Sequence, residues 1–256
     1  MQKLISIDLK ADFGFFRKPD ANNTINFSYN IAHKPALLGI FGAIIGLDGY
    51  KEKGKMPEYY EKLNHICIGV APLEHEKGNF QKTVIKYSNT VGYANKGATY
   101  LTEEATLIKP SYQVYLLLNT ANEHEQKLFN YLQKGEAEYL PYFGKNEFSA
   151  WWEKESFREY DFEQKAEIEE SISLKTVFVK ENVINEHKAD NAFDMSGIID
   201  NKLPYMYFER LPKDFDISLF QYNICDYVLT TFRLKNTMGI NGIYYLKEEN
   251  FYVQLI

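Results

Sequence analysis

Residues 111–120, SYQVYLLLNT, form a near-continuous run of Val, Tyr and Leu and carry the strongest strand signal in the chain. A strand so apolar reads as buried. Directly after it, EHEQKLFNYLQKG (123–135) has the spacing of an amphipathic helix, with Leu128, Phe129 and Leu132 inward and Gly135 as its stop. Upstream, LISIDL (4–9) alternates apolar and polar residues as a first strand does, and KLNHICIGVAPL (62–73) reads as a second. Pro35 suits the first turn of a helix running to about Leu47 and ended by Gly49. On it, Gly39, Gly42, Ala43 and Gly46 make a small-residue face, expected to pack on the sheet. Residues 13–33, with Gly, Pro and four Asn, read as a loop longer than a plain connection needs. Residues 80–109 are poor in continuous apolar content and read as a protruding hairpin or irregular arm. The order strand, helix, strand, arm, strand, helix, strand predicts an α+β fold of the ferredoxin-like βαββαβ kind, the architecture also of RNA-recognition modules.

From about Trp151 the pattern is less regular. Residues 171–180, 204–212 and 226–234 read as strands, and 242–256 as a closing hairpin around Glu248, Glu249 and Asn250. Two parts are therefore expected: a domain over 1–150, with its arm at about 80–110, and a β-rich part over 151–256.

Composition narrows the partners. Cys67 and Cys225 stand far apart without metal spacing, which fits a reducing compartment. The start MQKLISIDLK lacks the apolar core of a signal peptide, and the apolar run at 35–47 is short of a membrane span, so a cytoplasmic protein away from membranes is expected. The net charge of -6 argues against nucleic acid until its distribution is considered. Residues 153–170 hold eight acids and three bases, a local -5 expected to be a solvated helix face, whereas 77–109 hold five lysines and two acids. Charge placement, not its sum, sets a steering field, so an RNA partner is permitted.

The loop PYFGKNEF (141–148) sets a glycine before a lysine, as phosphate-binding loops do. The mononucleotide version needs a second glycine five residues upstream and a hydroxyl after the lysine. Here Asn146 follows Lys145 and the nearest upstream glycine is Gly135, so only another kind of phosphate, such as an RNA backbone, stays open. No zinc spacing, Gly-x-Ser-x-Gly motif or hydrolytic carboxylate pair is present, so no metal, cofactor or catalytic set is expected.

Three stretches together resemble one family: FRKPDANN with NFSYNIAHKPALLGIFGAIIGLDGY, KYSNTVGYA (86–94), and YLPYFGKNEF (139–148). They resemble the CRISPR-associated protein five family of the RAMP superfamily, most nearly its type I-B branch, densely over residues 1–150 and thinly afterwards. The resemblance implies an RRM-like RAMP fold with an arm, or thumb, between the second and third strands. It also implies an antiviral role: capping the 5′ handle of CRISPR RNA in Cascade, between the large subunit and the backbone subunits, and reaching target DNA only through that complex. In this reading the loop at 141–148 is the family's glycine loop, with Lys145 where relatives commonly carry arginine.

The candidate RNA contacts are Arg17, Lys18, Tyr29, His33, Lys34, Lys86, Tyr87, Asn89, Thr90, Gly144, Lys145 and Asn146. Gly144, Lys145 and Asn146 can receive a phosphate through backbone N–H, ammonium and carboxamide; an ordinary turn with a solvated lysine is the alternative. Arg17 and Lys18 sit in the long loop, either on phosphates or merely solvated. Tyr29, His33 and Lys34 precede a helix whose N-terminus attracts anions, with a buried capping role for His33 equally open. Lys86, Tyr87, Asn89 and Thr90 combine a cation, a stacking ring and small polar groups, the mixture that reads single-stranded RNA, unless the tyrosine is packed in a structural hairpin. The Trp151–Trp152 pair suits core or subunit interface. Two other functions compete: a metal-independent endoribonuclease, an activity the resemblance implies for the type I-C branch and for which Tyr29, His33 and Lys34 are the close Tyr/His/Lys set of this sequence, and a RAMP-fold protein that binds only proteins.

Overall fold

The computed structural model of the chain describes residues 1–19, 24–89, 100–166, 168, 170–179, 193–194, 204–235 and 240–256. It is mixed α+β, sheet-rich with few helices. Strand β1 (Gln2–Ala11) is followed by two short strands, β2 (Phe13–Gly14) and β3 (Phe16–Arg17), and by β4 (Ile25–Tyr29). Helices α1 (Lys34–Ile45) and α2 (Glu58–Leu63) come next. Strands β5 (Cys67–Pro72), β6 (Lys82–Asn89), β7 (Tyr100–Ile108) and β8 (Ser111–Asn119) lead to α3 (Glu123–Lys134). Beyond the glycine loop lie β9 (Ala150–Trp151), β10 (Arg158–Tyr160) and β11 (Phe162–Lys165).

The main sheet runs β10–β1–β8–β5, with β9 also on β1, and every pairing is antiparallel. The apolar run at 111 is buried because both faces of β8 are covered. On one face Val114, Leu116 and Leu118 join Ile5, Ile7 and Leu9 under α1 and α3. On the other, Tyr115 and Leu117 meet Leu4, Tyr160, Leu246 and Val253, the last two from the C-terminal hairpin. Both helices begin and end as their residues dictate. His33 and Asn122 cap the N-termini of α1 and α3, and Gly46 and Gly135 close their C-termini. The stop of α1 is thus Gly46, three residues before the expected Gly49.

The small-residue face of α1 packs on α2, not on the sheet. A Cβ at Gly42 would stand 2.3 Å from the Tyr59 Cβ, so glycine is what lets the two helices touch. The short helix α2 was not anticipated and takes up the first residues of the expected strand at 62–73. Its buried Tyr60 and Leu63 are too few to establish a helical period.

In the arm at 80–109 the described residues form the hairpin that was one of its two expected forms, β6 with β7, and the described residues of the loop at 13–33 supply strands where none was expected. They form one second sheet, ordered β2–β7–β4–β3 with β6 also on β7. Strands β6 and β7 pair antiparallel from Lys82↔Leu107 to Asn89↔Tyr100, and β4 runs parallel to β7 from Ile25↔Glu103. Strands β2 and β4 escape a local reading because their partner β7 is distant in sequence and their apolar residues are sparse.

Beyond residue 165 lie β12 (Phe178–Val179), β13 (Phe193–Asp194), β14 (Met206–Asp216), β15 (Gln221–Thr230), β16 (Arg233–Leu234), β17 (Ile243–Leu246) and β18 (Phe251–Gln254). β14 and β15 make a long hairpin, and β17 and β18 the expected closing one. Of the strand expected over 171–180, only Phe178–Val179 is regular, with isolated bridges at Ile172 and Leu174. In the acidic run at 153–170 the described residues form no α-helix: a single 3-10 turn at Lys154–Ser156 leads into β10 and β11, where Tyr160 and Phe162 turn inward while Glu159, Asp161 and Glu163 face water. A period of two, not 3.6, governs it. Trp152 is buried, with its indole N–H donating to the Leu132 carbonyl, and Trp151 stays exposed. Among the described residues, no helix is long and apolar enough to cross a membrane.

Candidate nucleic-acid interface

The glycine loop folds back on itself between α3 and β9. Phe143 N–H donates to the Phe148 carbonyl and Phe148 N–H to the Lys145 carbonyl, with Phe143 fully buried. Gly144 has φ +83, and a Cβ there would lie 2.0 Å from the Phe15 carbonyl oxygen. Glycine is therefore required by the chain's own backbone, since the loop rests on the segment between β2 and β3. Lys145 leaves this turn sideways. Its ammonium pairs with the Glu104 carboxylate of β7 and stands 3.8 Å from the Tyr87 ring centroid of β6. Tyr87 in turn donates its hydroxyl to Glu147 Oε1 at 3.2 Å.

Loop, hairpin and β3 so enclose a cleft of about 460 Å³, lined by Phe16, Arg17, His33, Glu104, Gly144 and Lys145 with Tyr59 and Tyr222. Arg17 is exposed and has no ion-pair partner among the described residues. It is the cation most available to an anion entering the cleft. Lys145, whose side chain is only 22% exposed, is already committed to Glu104. Asn146 is exposed at the tip of the loop.

Of the remaining candidates, Tyr29, Lys18 and Lys34 do not line the cleft, and His33 takes the capping role that its sequence position left open. Tyr29 is buried in the core, where no RNA reaches it. Lys18 is 3.0 Å from Glu209, a buried carboxylate that also accepts the N–H groups of Asn30 and Ile31, so this lysine helps tie β14 to the end of β4. Lys34 turns away from the cleft and donates to the Ile256 carbonyl oxygen at 3.2 Å; burial lowers its pKa. His33 is the buried cap: its Nδ1 accepts the Ala36 N–H at 3.3 Å, and burial drops its pKa to about 3, leaving a neutral ring. The His33 carbonyl also accepts from Ala36 and Leu37, and Pro35 has no N–H, so the helix end offers an anion far less than a free terminus would. Lys86 is exposed and pairs with Glu103 across the hairpin at 2.8 Å. The Asn89 side chain and Thr90 lie outside the described residues.

Sequence reasoning missed Glu104 and Tyr59. The register of β6 and β7 puts Glu104 on the cleft face, and only the fold shows that an acid stands among the cations. Among the described residues, no group of three His, Cys, Asp or Glu side chains is placed to hold a metal ion.

No family model and no curated protein matches the sequence. Solved structures similar to it include a CRISPR protein from Archaeoglobus fulgidus, 14% identical with a TM-score of 0.49 over 99% of each chain. A chain of a CRISPR RNA-guided surveillance complex is 11% identical, with a TM-score of 0.46 over 90% of this chain and 91% of that one. A chain of a type III-B Cmr-beta complex bound to cognate target RNA and AMPPnP is 15% identical, with a TM-score of 0.42 over 91% of this chain and 86% of that one.

Proposed function

We propose that the chain is a non-catalytic RNA-binding subunit of a type I CRISPR surveillance complex, of the type I-B kind. In this reading it caps the 5′ handle of the CRISPR RNA, sits between the large subunit and the backbone subunits, and meets target DNA only through the complex. The observation that carries the reading is convergence: the three separate stretches behind the family resemblance meet at one cleft. Phe16 and Arg17, the start of α1, and Gly144 with Lys145 line it, while Tyr87 of the hairpin stands behind Lys145. Arg17, exposed and without an ion-pair partner among the described residues, stands at that meeting point. The strand order of the main sheet, with β10 and β9 counted as the fourth strand, is fourth-first-third-second and antiparallel throughout, which supports the ferredoxin-like reading.

Cleavage would need a base, an acid and a cation converging on one ribose. Tyr29 is in the core, the Nδ1 of His33 is engaged by Ala36, and Lys34 is drawn to Ile256, which speaks against this trio as a cleavage set. The test is co-expression with the products of the neighbouring genes, followed by sequencing of RNA that copurifies. One population sharing a repeat-derived 5′ end is expected, and it should be depleted in Arg17→Ala. RNA with no common 5′ end, or none at all, would refute the assignment.

A further inference from the structure

The cation cleft does not end at α1. A second depression of about 540 Å³ continues from it, walled by Tyr50, Tyr59, Tyr139 and Tyr142. The two share Phe16, Ala36, Gly39, Tyr59 and Gly144, so they form one groove running from Arg17 to the tyrosines. Three of these rings are open to solvent: Tyr50 is 65% exposed, Tyr139 58% and Tyr142 41%. The backbone that carries Tyr139 and Tyr142 is nonetheless pinned. Glu138 and Tyr139 donate their N–H groups to the Ile44 and Ala43 carbonyls at the end of α1, and Tyr142 is bridged to Ser149. Holding exposed rings on a pinned segment gains the fold little, because the rings themselves bury little area.

We propose that this groove is a stacking site for unpaired nucleobases, extending the path of an RNA strand whose phosphates lie at Arg17. The inference rests on the RNA reading above and names what the strand does next. The chemistry of the walls selects bases: tyrosine offers a π-face to any base and a hydroxyl at its rim. A cation stands at the end where the phosphates enter. At the far end the one carboxylate, Asp48, is already paired with Lys51. A peptide laid in as an added strand would need free main-chain donors, and those of Glu138 and Tyr139 are spent on α1.

The experiment uses the purified full chain and fluorescence anisotropy. The probes are a repeat-derived single-stranded RNA and the same ribose-phosphate strand without bases. Wild type should bind the base-bearing strand more tightly. Tyr139→Ala with Tyr142→Ala should lose about ten-fold or more on that strand and almost nothing on the abasic one. Tyr139→Phe with Tyr142→Phe should keep the wild-type preference, since the ring and not the hydroxyl carries stacking. Equal wild-type affinity for the two strands would overturn the stacking site while leaving RNA binding in place. A loss in the alanine variant that is the same on both strands would also overturn it. Failure of wild type to bind either strand at low salt would refute the RNA reading itself, and the stacking site with it.

Discussion

Replacing Glu104 by glutamine should tighten RNA binding, the opposite of what a carboxylate on a structural strand would suggest. Glu104 is 7% exposed and holds the ammonium of Lys145, so the cleft's second cation is neutralised from within. Glutamine keeps the shape and removes the charge. A freed ammonium about 4 Å from a phosphate gains about 1 kcal/mol in bulk water and about 4 at the effective dielectric of a protein surface. Taking a value near the lower end for a partly exposed lysine gives about 1.4 kcal/mol, or about ten-fold in affinity. The salt dependence should steepen by about 0.7 in the log–log slope, the contribution of one added contact to a single strand. Lys145→Ala should behave differently from a simple loss of a phosphate ligand. It strands a buried carboxylate, at a cost of about 3 kcal/mol, the lower end for a broken buried pair because Lys145 keeps some exposure. Combining it with Glu104→Gln should recover most of that stability, as expected for coupled partners. Anisotropy with single-stranded RNA at several salt concentrations, alongside thermal denaturation, reads both effects. If Lys145→Ala weakens RNA binding at unchanged Tm, and Glu104→Gln leaves affinity and slope where they were, the ion pair is incidental.

Gly144→Ala should cost at least about 2 kcal/mol in urea denaturation, from the left-handed backbone together with the displaced Phe15 carbonyl; a neutral substitution would mean the loop relaxes freely. His33, with its pKa lowered from 6.5 to about 3, binds a proton in the unfolded chain before it does in the folded one. This contribution should therefore be complete well above pH 6.5 and decline as the pH falls towards 3, by about 2.7 kcal/mol at pH 4.5. His33→Asn, which can still cap α1, should remove that share of the acid sensitivity; an unchanged difference between pH 7 and pH 4.5 would refute the assignment.

What could be read from the chain follows from the range of the interactions involved. Strands β1 and β8 and helices α1 and α3 announce themselves because their burial pattern is written into consecutive residues, and their caps lie within three residues of their ends. Strands β2 and β4 of the second sheet do not, because Phe13, Ile25 and Phe27 acquire meaning only opposite β7. In the acidic run, charge density hid a two-residue alternation of Tyr160 and Phe162. Similarly, Gly42 reads as one of several small residues until Tyr59 is brought against it.

The candidate site divides along the same line. Glycine beside lysine was visible, and so was the proposal that this pair meets a phosphate; that Gly144 is required by Phe15 and Lys145 held by Glu104 was not. Phe15, in the link between β2 and β3, and Glu104, on β7, reach the loop only through the fold. The result is a cleft whose readiness for an anion differs from that of its motif. Arg17 is available at once, whereas Lys145 becomes available only to a ligand able to compete with a buried carboxylate. A single phosphate passing the surface gains little from such a pair. A strand already anchored at Arg17, with its bases lodged between Tyr139 and Tyr142, presents its next phosphate at high effective concentration and can make that exchange. The arrangement therefore favours a continuous, threaded strand over isolated anions, which is the discrimination that the proposed hold on one end of an RNA would require.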